Sequence, residues 1–384
     1  MIIPAGGLVK PSAYFMKFRH PFPFTILLLP GLIAGYFISP LFAAAQLANN
    51  TLSAERNTSS SNNPDVLVGQ ALRSLHEGDR SAAQQQLLQA IALSPNHAVA
   101  NNALGNLYSS QRRYPEAMER FEAVLATNLH NSDARRGELS AAVALALQVR
   151  AQDPEAALAC LQHAHENLPD DPTLLTDLGI QAQVMNRLEL ANRSLSAALV
   201  LKPDDLATLY ALARVETDQM HSGPAEKHFR AYLAARPDDA TAHYGFGHLL
   251  QMQLRTEEAI KEFGRSIELQ PVQTESYYEL GQIALDRQRD GEAEPLFLKV
   301  LARDPNHGGA LTGMGVLSYH AKDYVKAEGY LAKAIVSAPN YQPAHYYYSL
   351  ALAHTGRKQA AEHELKIAAS LQQKQAMTPP IEKP

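Results

Sequence analysis

Small and large apolar residues recur along most of this chain with a period of 34 residues. Each period carries an alanine, and a large apolar residue follows it by four positions. The alanines are Ala83, Ala117, Ala157, Ala191, Ala225, Ala259, Ala293, Ala327 and Ala361. The large residues are Leu87, Phe121, Leu161, Leu195, Phe229, Phe263, Phe297, Leu331 and Leu365. A small residue precedes eight of the alanines by twelve positions: Ala71, Gly105, Gly179, Ala213, Gly247, Gly281, Gly315 and Ser349.

Spacing within one period predicts two helices. In the period that starts at Thr274, Tyr277 and Gly281 belong to a first helical stripe, and Ala293 and Phe297 belong to a second. Small residues let two helices approach closely, and the large residue four positions on fills the next gap along the same face. A proline ends most second helices: Pro95, Pro169, Pro203, Pro237, Pro271, Pro305 and Pro339. One helix pair cannot bury its apolar face, so we expect the pairs to stack around a continuous core.

Two periods depart from this pattern. The third is 40 residues long, which predicts a longer first helix or an enlarged turn between Asn131 and Asp153. Pro295 falls inside a second helix and predicts a local kink or a late start there.

Nine periods in one register resemble the tetratricopeptide repeat family, over about 310 of the 384 residues. The resemblance rests on the segment from Tyr277 to Pro305 and on Gly78-Asp79, which stands where that family turns between its two helices. It implies an all-α fold: a right-handed α-α superhelix (solenoid) of antiparallel helix pairs over residues 64–373. First helices would line the concave surface. Residues 374–384 are predicted to be a disordered tail.

The first 63 residues are predicted to be a targeting or anchoring segment followed by a linker. No charged residue occurs from Pro21 to Ala54, and Lys10, Lys17 and Arg19 precede this run. Residues 1–45 are therefore predicted to be a signal peptide cleaved after Ala45, or an N-terminal membrane anchor, with Met1 or Met16 as the start. A buried core helix is a third alternative. Residues 46–63, rich in Ser, Asn and Thr, are predicted to be a flexible linker. Both of the first two readings place the protein outside the cytoplasm, in the periplasm or cell envelope, secreted or tethered to the inner membrane through residues 21–45.

Composition and motifs bear on three functions: nucleic-acid binding, metal binding and catalysis. The formal charge is −5, and no run of five Lys or Arg occurs, which argues against nucleic-acid binding. Cys160 is the one cysteine; with His163 and His165 it forms the densest potential metal cluster. Only Cys160 and His163 would share a helix face, so we predict no metal site and no cofactor. No sequence motif for a nucleophile, a zinc protease or a phosphate-binding loop is present, which predicts a protein that is not an enzyme.

The candidate binding surface lies on the first helices. Tyrosines occupy the fifth position of four repeats, and Thr312 interrupts their series. The four tyrosines are Tyr210, Tyr244, Tyr278 and Tyr346. Arg214, His248 and Gln282 follow the first three by four residues, on the same helix face. Such a column would hold an extended peptide or partner helix by ring contacts and polar selection. The alternative is that these tyrosines pack against the neighbouring repeat.

These features predict a non-enzymatic scaffold that binds a peptide or protein of unknown identity in its concave groove. An alternative is an accessory subunit of an envelope enzyme or assembly system, for secretion, pili, polysaccharide or cytochromes, which presents substrates to a separate catalyst.

Overall fold

The computed structural model describes residues 63–377, and these residues form eighteen α-helices without a β-strand. The helices follow one another as nine antiparallel pairs, so the predicted all-α fold is confirmed. The pairs fall into two compact units, residues 1–203 and 204–384, of which 63–203 and 204–377 are described. The predicted signal or anchor of 1–45, the linker up to residue 62 and residues 378–384 lie outside the described residues.

Unit 1 contains repeats 1 to 4. Its helices are α1 Pro64–His76, α2 Arg80–Leu93, α3 Ala98–Ser110, α4 Tyr114–Leu125, α5 Ser132–Val149, α6 Pro154–Asn167, α7 Pro172–Val184 and α8 Leu188–Leu201. Odd-numbered helices are the first helices of the repeats, and even-numbered helices are the second helices.

Unit 2 contains repeats 5 to 9. Its helices are α9 Leu206–Asp218, α10 Ser222–Ala235, α11 Ala240–Met252, α12 Thr256–Leu269, α13 Glu275–Asp286, α14 Asp290–Leu301, α15 Gly308–His320, α16 Tyr324–Ser337, α17 Gln342–His354 and α18 Lys358–Met377. The last helix continues four residues past the predicted end of the array at 373. Within residues 63–377, no helix combines the length and the apolar character that a membrane span requires.

The recurring positions form the core of each pair. The alanines that mark the repeats are buried throughout, and so are the large residues four positions later, except Leu365 in the last repeat. A Cβ atom added to Gly281 would lie 2.8 Å from the Phe297 ring, and one added to Gly315 would lie 2.5 Å from Leu331. The small position therefore brings the first helix against the large residue of its own second helix. Leu365 is 48% exposed, since no further helix pair follows repeat 9 among the described residues.

The irregular third repeat is accommodated by a longer helix. Its first helix, α5, has 18 residues, whereas the other first helices have 12 or 13. The sequence left two alternatives open there, and the longer first helix is the observed one. Pro295 lies inside α14, which begins at Asp290, so of the two predicted alternatives, a local kink or a late start, the late start does not occur.

Helix starts and turns follow local side-chain chemistry. Most first helices begin after an Asp, Asn or His whose side chain accepts a hydrogen bond from a backbone N–H of the first turn, as Asp171 does from Leu174 and Asp239 from Ala242. The turn between the two helices carries a left-handed residue at an equivalent place in most repeats. It is glycine at Gly78 and Gly356, and a side-chain-bearing residue at Arg112, Asn186, Met220, Leu254, Gln288 and Lys322.

Ion pairs link consecutive repeats at the turn edge within each unit. Arg187 contacts Glu155 of the preceding repeat at 2.7 Å, and Arg255 and Arg287 contact Glu226 and Glu257 at the same distance. Exposed pairs of this kind contribute about 0–1 kcal/mol each. The apolar stacking of helices therefore supplies most of the stabilisation, and the ion pairs help to align consecutive repeats.

Candidate functional site

One surface of unit 2 is built from first helices alone. In unit 2, α9 contacts α11, α13 contacts α15 and α15 contacts α17, whereas consecutive second helices make at most isolated contacts. First helices therefore lie on the inside of the stack, where the repeats are closest together. We call the surface formed by α9, α11, α13, α15 and α17 the inner face of unit 2. All seven candidate binding residues belong to these helices.

Tyr210 at the start of the tyrosine column is half-buried in repeat 5. Its ring lies edge-on to Phe229 with centroids 6.2 Å apart, and it lies 5.1 Å from the Tyr232 ring. The Arg214 guanidinium lies 5.7 Å from the Tyr210 centroid, close enough for a cation–π contact. Burial raises the pKa of Tyr210, so its hydroxyl stays neutral and can donate a hydrogen bond.

Tyr244 and Tyr278 are core residues at their positions. Tyr244 is 8% exposed and its ring lies 5.9 Å from Phe263; Tyr278 is 5% exposed and lies 4.9 Å from the His307 ring of the next repeat. Space for the Tyr278 ring is provided by Gly309, where a Cβ atom would lie 2.6 Å from it. For these two rings the structure matches the packing alternative, and an open row of three equivalent ring faces does not form.

Tyr346 ends the column in a different environment. It is 40% exposed and belongs to an aromatic cluster across repeats 8 and 9. Tyr346 and Tyr347 have centroids 5.4 Å apart, Tyr319 and Tyr347 6.1 Å. Tyr324 stacks on His354 at 4.0 Å with an interplanar angle of 4°. Tyr347 and Tyr324 lie outside the 34-residue column and were not predicted, although the run Tyr346-Tyr347-Tyr348 marks part of this cluster in the sequence.

The polar candidates Arg214, His248 and Gln282 lie on α9, α11 and α13. His248 and Gln282 are partly buried on α11 and α13, and burial lowers the pKa of His248, so this imidazole is neutral near pH 7. Two acids on α13 were not singled out from the sequence. Burial raises the pKa of Glu279 to about 7 and raises that of Asp286 as well. The Asp286 side chain keeps an exposed surface although the surrounding helices partly desolvate it. Burial, with a smaller contribution from the charge of Asp286, raises the pKa of Tyr341 and of Tyr347.

The cysteine–histidine cluster of repeat 3 lies in unit 1. Sγ of Cys160 lies 3.6 Å from the carbonyl oxygen of Ala142 and 4.0 Å from Sδ of Met118, and burial raises the pKa of the thiol to about 11. The side chain of His163 lies 2.8 Å from Glu122. No group of three His, Cys, Asp or Glu side chains in residues 63–377 is arranged to hold a metal ion.

Repeat 3 also contains a buried acid. Glu138 on α5 is fully buried, with the side chains of Asn167 and Glu122 near its carboxyl group. Burial and the nearby Glu122 carboxylate raise the pKa of Glu138 to about 8.

The helix pairs, their small-to-large packing and the inner face of first helices define a helical-repeat scaffold. Family models described as tetratricopeptide repeat match residues 87–119, 244–308 and 278–343. The chain is a tetratricopeptide-like repeat protein.

Several solved structures are similar to this chain, and the first named below shares its fold. The Cut9–Hcn1 hetero-tetramer of the APC/C aligns at 15% identity over 86% of this chain and 64% of that chain, with a TM-score of 0.51. PilF from Pseudomonas aeruginosa aligns at 22% identity over 53% and 96% of the two chains, with a TM-score of 0.48. A tetratricopeptide repeat protein from Parabacteroides merdae ATCC 43184 aligns at 18% identity over 61% and 93%, with a TM-score of 0.49. No curated protein sequence matches this chain.

Proposed function

We propose that this protein is a non-enzymatic scaffold that binds an extended segment of a partner protein along the inner face of unit 2. The observation that carries the proposal is the aromatic and polar surface of the first helices, which includes the exposed ring of Tyr346 and the half-buried ring of Tyr210. Partly exposed tyrosines of this kind are favoured at protein interfaces, because they add contact area at a low cost in side-chain entropy.

The seven candidate residues have two roles in this proposal. Tyr210 and Tyr346 contact the partner directly, with Arg214, His248 and Gln282 as hydrogen-bonding groups between them. Tyr244 and Tyr278 support the first helices by packing in the core, because little of either ring is exposed.

Two pairs of substitutions test this division. Tyr210→Ala with Tyr346→Ala is expected to abolish capture of partner protein from host extract. The melting temperature should fall less than in the second pair, although Tyr210 also packs against Phe229. Loss of an interface ring typically costs about 1–3 kcal/mol of binding free energy. Tyr244→Ala with Tyr278→Ala is expected to lower the melting temperature, because each change leaves a cavity.

Tyr330→Ala is the matched control, since Tyr330 lies on the second helix α16, away from the inner face. It should leave capture unchanged. Capture that survives the Tyr210 and Tyr346 double substitution would place the partner elsewhere on the molecule.

We further propose that residues 46–384 act outside the cytoplasm. The uncharged run from Pro21 to Ala54 behind a basic flank supports this proposal. The mature N-terminus, read by mass spectrometry, is expected at Gln46 after cleavage, or upstream of residue 21 if the segment is retained as an anchor. Added protease should reach the protein once the outer layer of intact cells is permeabilised. A protein that is full length and shielded from protease in the cytoplasm would contradict export.

A further inference from the structure

The inner face of repeats 6 to 9 has a one-sided charge. Lys and Arg make up 34 of the 384 residues of the chain, yet α11, α13, α15 and α17 contain neither. Their acidic residues are Glu275, Glu279 and Asp286, all on α13. Apart from histidines, the charged side chains on these four helices are therefore all negative.

Two of these acids, Glu279 and Asp286, have raised pKa values. Burial is the main reason that the pKa of each carboxyl group is raised; for Glu279 a hydrogen bond with Gln251 lowers the pKa and the charge of Asp286 raises it further. Glu279 occupies the repeat position that is Gly245 in repeat 6 and Gly313 in repeat 8, where the backbone packs against a preceding phenylalanine. A carboxyl group at this small-residue position costs stability, and a bound cation would offset that cost.

The aromatic cluster adjoins these acids. The ring of Tyr347 lies between those of Tyr346 and Tyr319, and its pKa is raised mainly by burial, with Asp286 among the charges that add to the shift. A carboxylate beside tyrosine faces suits an ammonium or guanidinium group, because the cation can pair with the oxygen while it contacts a ring.

We propose that the segment bound at repeats 7 to 9 is basic, and that one of its Lys or Arg side chains lies between Asp286 and the rings of Tyr346 and Tyr347. This inference rests on the proposed function, since it specifies the partner of the same inner face. The negative field of α13 would also speed association of a basic segment and disfavour acidic ones.

Three labelled peptides of equal length test the inference on the chain from residue 46 to residue 384. They alternate Ala with Lys, with Gln or with Glu, and binding is measured by fluorescence anisotropy at about 50 and about 500 mM salt. The Lys peptide is expected to bind at least about tenfold more tightly than the Gln peptide, and the Glu peptide weakest. High salt should remove most of the advantage of the Lys peptide.

Substitutions locate the contact. Asp286→Asn and Tyr346→Ala should each weaken binding of the Lys peptide by about five- to tenfold. Glu294→Gln removes an exposed acid on the second helix α14 and is the matched control, for which no change is expected. Equal binding of the Lys and Gln peptides, absence of binding, or equal effects of Asp286→Asn and Glu294→Gln would each overturn the inference.

The same variants separate this inference from the proposed function. If capture of host partner requires Tyr346 but not Asp286, the inner face binds a partner that is not basic, and only the inference is wrong. If capture requires neither residue nor Tyr210, both are wrong.

Discussion

At the scale of single residues, the turns between paired helices store strain. Leu254 has a φ of 62° and is 66% exposed, so it adopts a left-handed conformation and gains little from packing. Gly78 and Gly356 occupy equivalent turns without that penalty.

Leu254→Gly is therefore expected to stabilise unit 2, by up to about 1 kcal/mol, because relief of the left-handed strain exceeds the entropy cost of glycine. Urea unfolding measures the effect. Leu298→Gly, at an exposed position inside helix α14, is the control and should destabilise by about 1 kcal/mol. A loss of stability at both positions would show that the turn is not strained.

Glu138 gives a second prediction at this scale. Its pKa of about 8 is above that of an unfolded carboxyl group, so the folded state holds a proton that the unfolded state releases above about pH 4.5. Stability from this group is full below that pH and is lost as pH rises through 8. Glu138→Gln should raise the free energy of unfolding at pH 9 by a few kcal/mol and flatten its pH dependence. An unchanged profile between pH 5 and pH 9 would show that Glu138 ionises freely.

At the scale of elements, histidines join the two helices of a repeat. In repeat 6, Nδ1 of His243 on α11 lies 2.6 Å from Glu262 on α12, and Nε2 lies 2.9 Å from the carbonyl oxygen of Pro237. Both nitrogens face acceptors, so the charged imidazolium, which donates from both, fits best. His345, Glu364 and Pro339 repeat this geometry in repeat 9.

The hydrogen bond to Glu262 is the main reason that the pKa of His243 is raised. Its stabilisation is then complete below the unfolded pKa of about 6.5 and is lost as pH rises through the higher folded value. His243→Gln should lower the free energy of unfolding by about 1 kcal/mol at pH 5.5 and by less at pH 8.5. Glu262→Gln should show the same pH dependence. Equal losses at both pH values would indicate that the two side chains contribute packing and not charge.

Elements were the most predictable part of the molecule, because the repeated small and large positions report directly on helix packing. Gly281 against Phe297 and the burial of Ala259 follow from spacing alone. The exposure of the tyrosines did not follow, since the room for Tyr278 comes from Gly309 in the next repeat. Spacing fixes which residues share a helix face. It does not give the burial of each side chain, which depends on the size of the residue that faces it from the neighbouring helix.

At the scale of the whole molecule, each repeat is stabilised by its neighbours. Ala259 is fully buried in α12, so Ala259→Glu would bury a carboxylate without a partner and should destabilise unit 2 by several kcal/mol. Hydrogen exchange should show the loss as graded: largest in repeat 6, smaller in repeats 5 and 7. Protection equal to the wild type over residues 206–305 would contradict this packing, and Glu268→Ala, exposed on the same helix, serves as control.

The contacts between helices also bear on how the chain acquires its structure. All helix pairs with substantial contact are adjacent or next but one in sequence. A repeat therefore needs no residue from the far end of the chain before it can pack, and loops closed between contacting segments are short. Each repeat can take its final form once the following one has emerged, whether from the ribosome or from a translocation pore. Little apolar surface therefore stays exposed for long during folding.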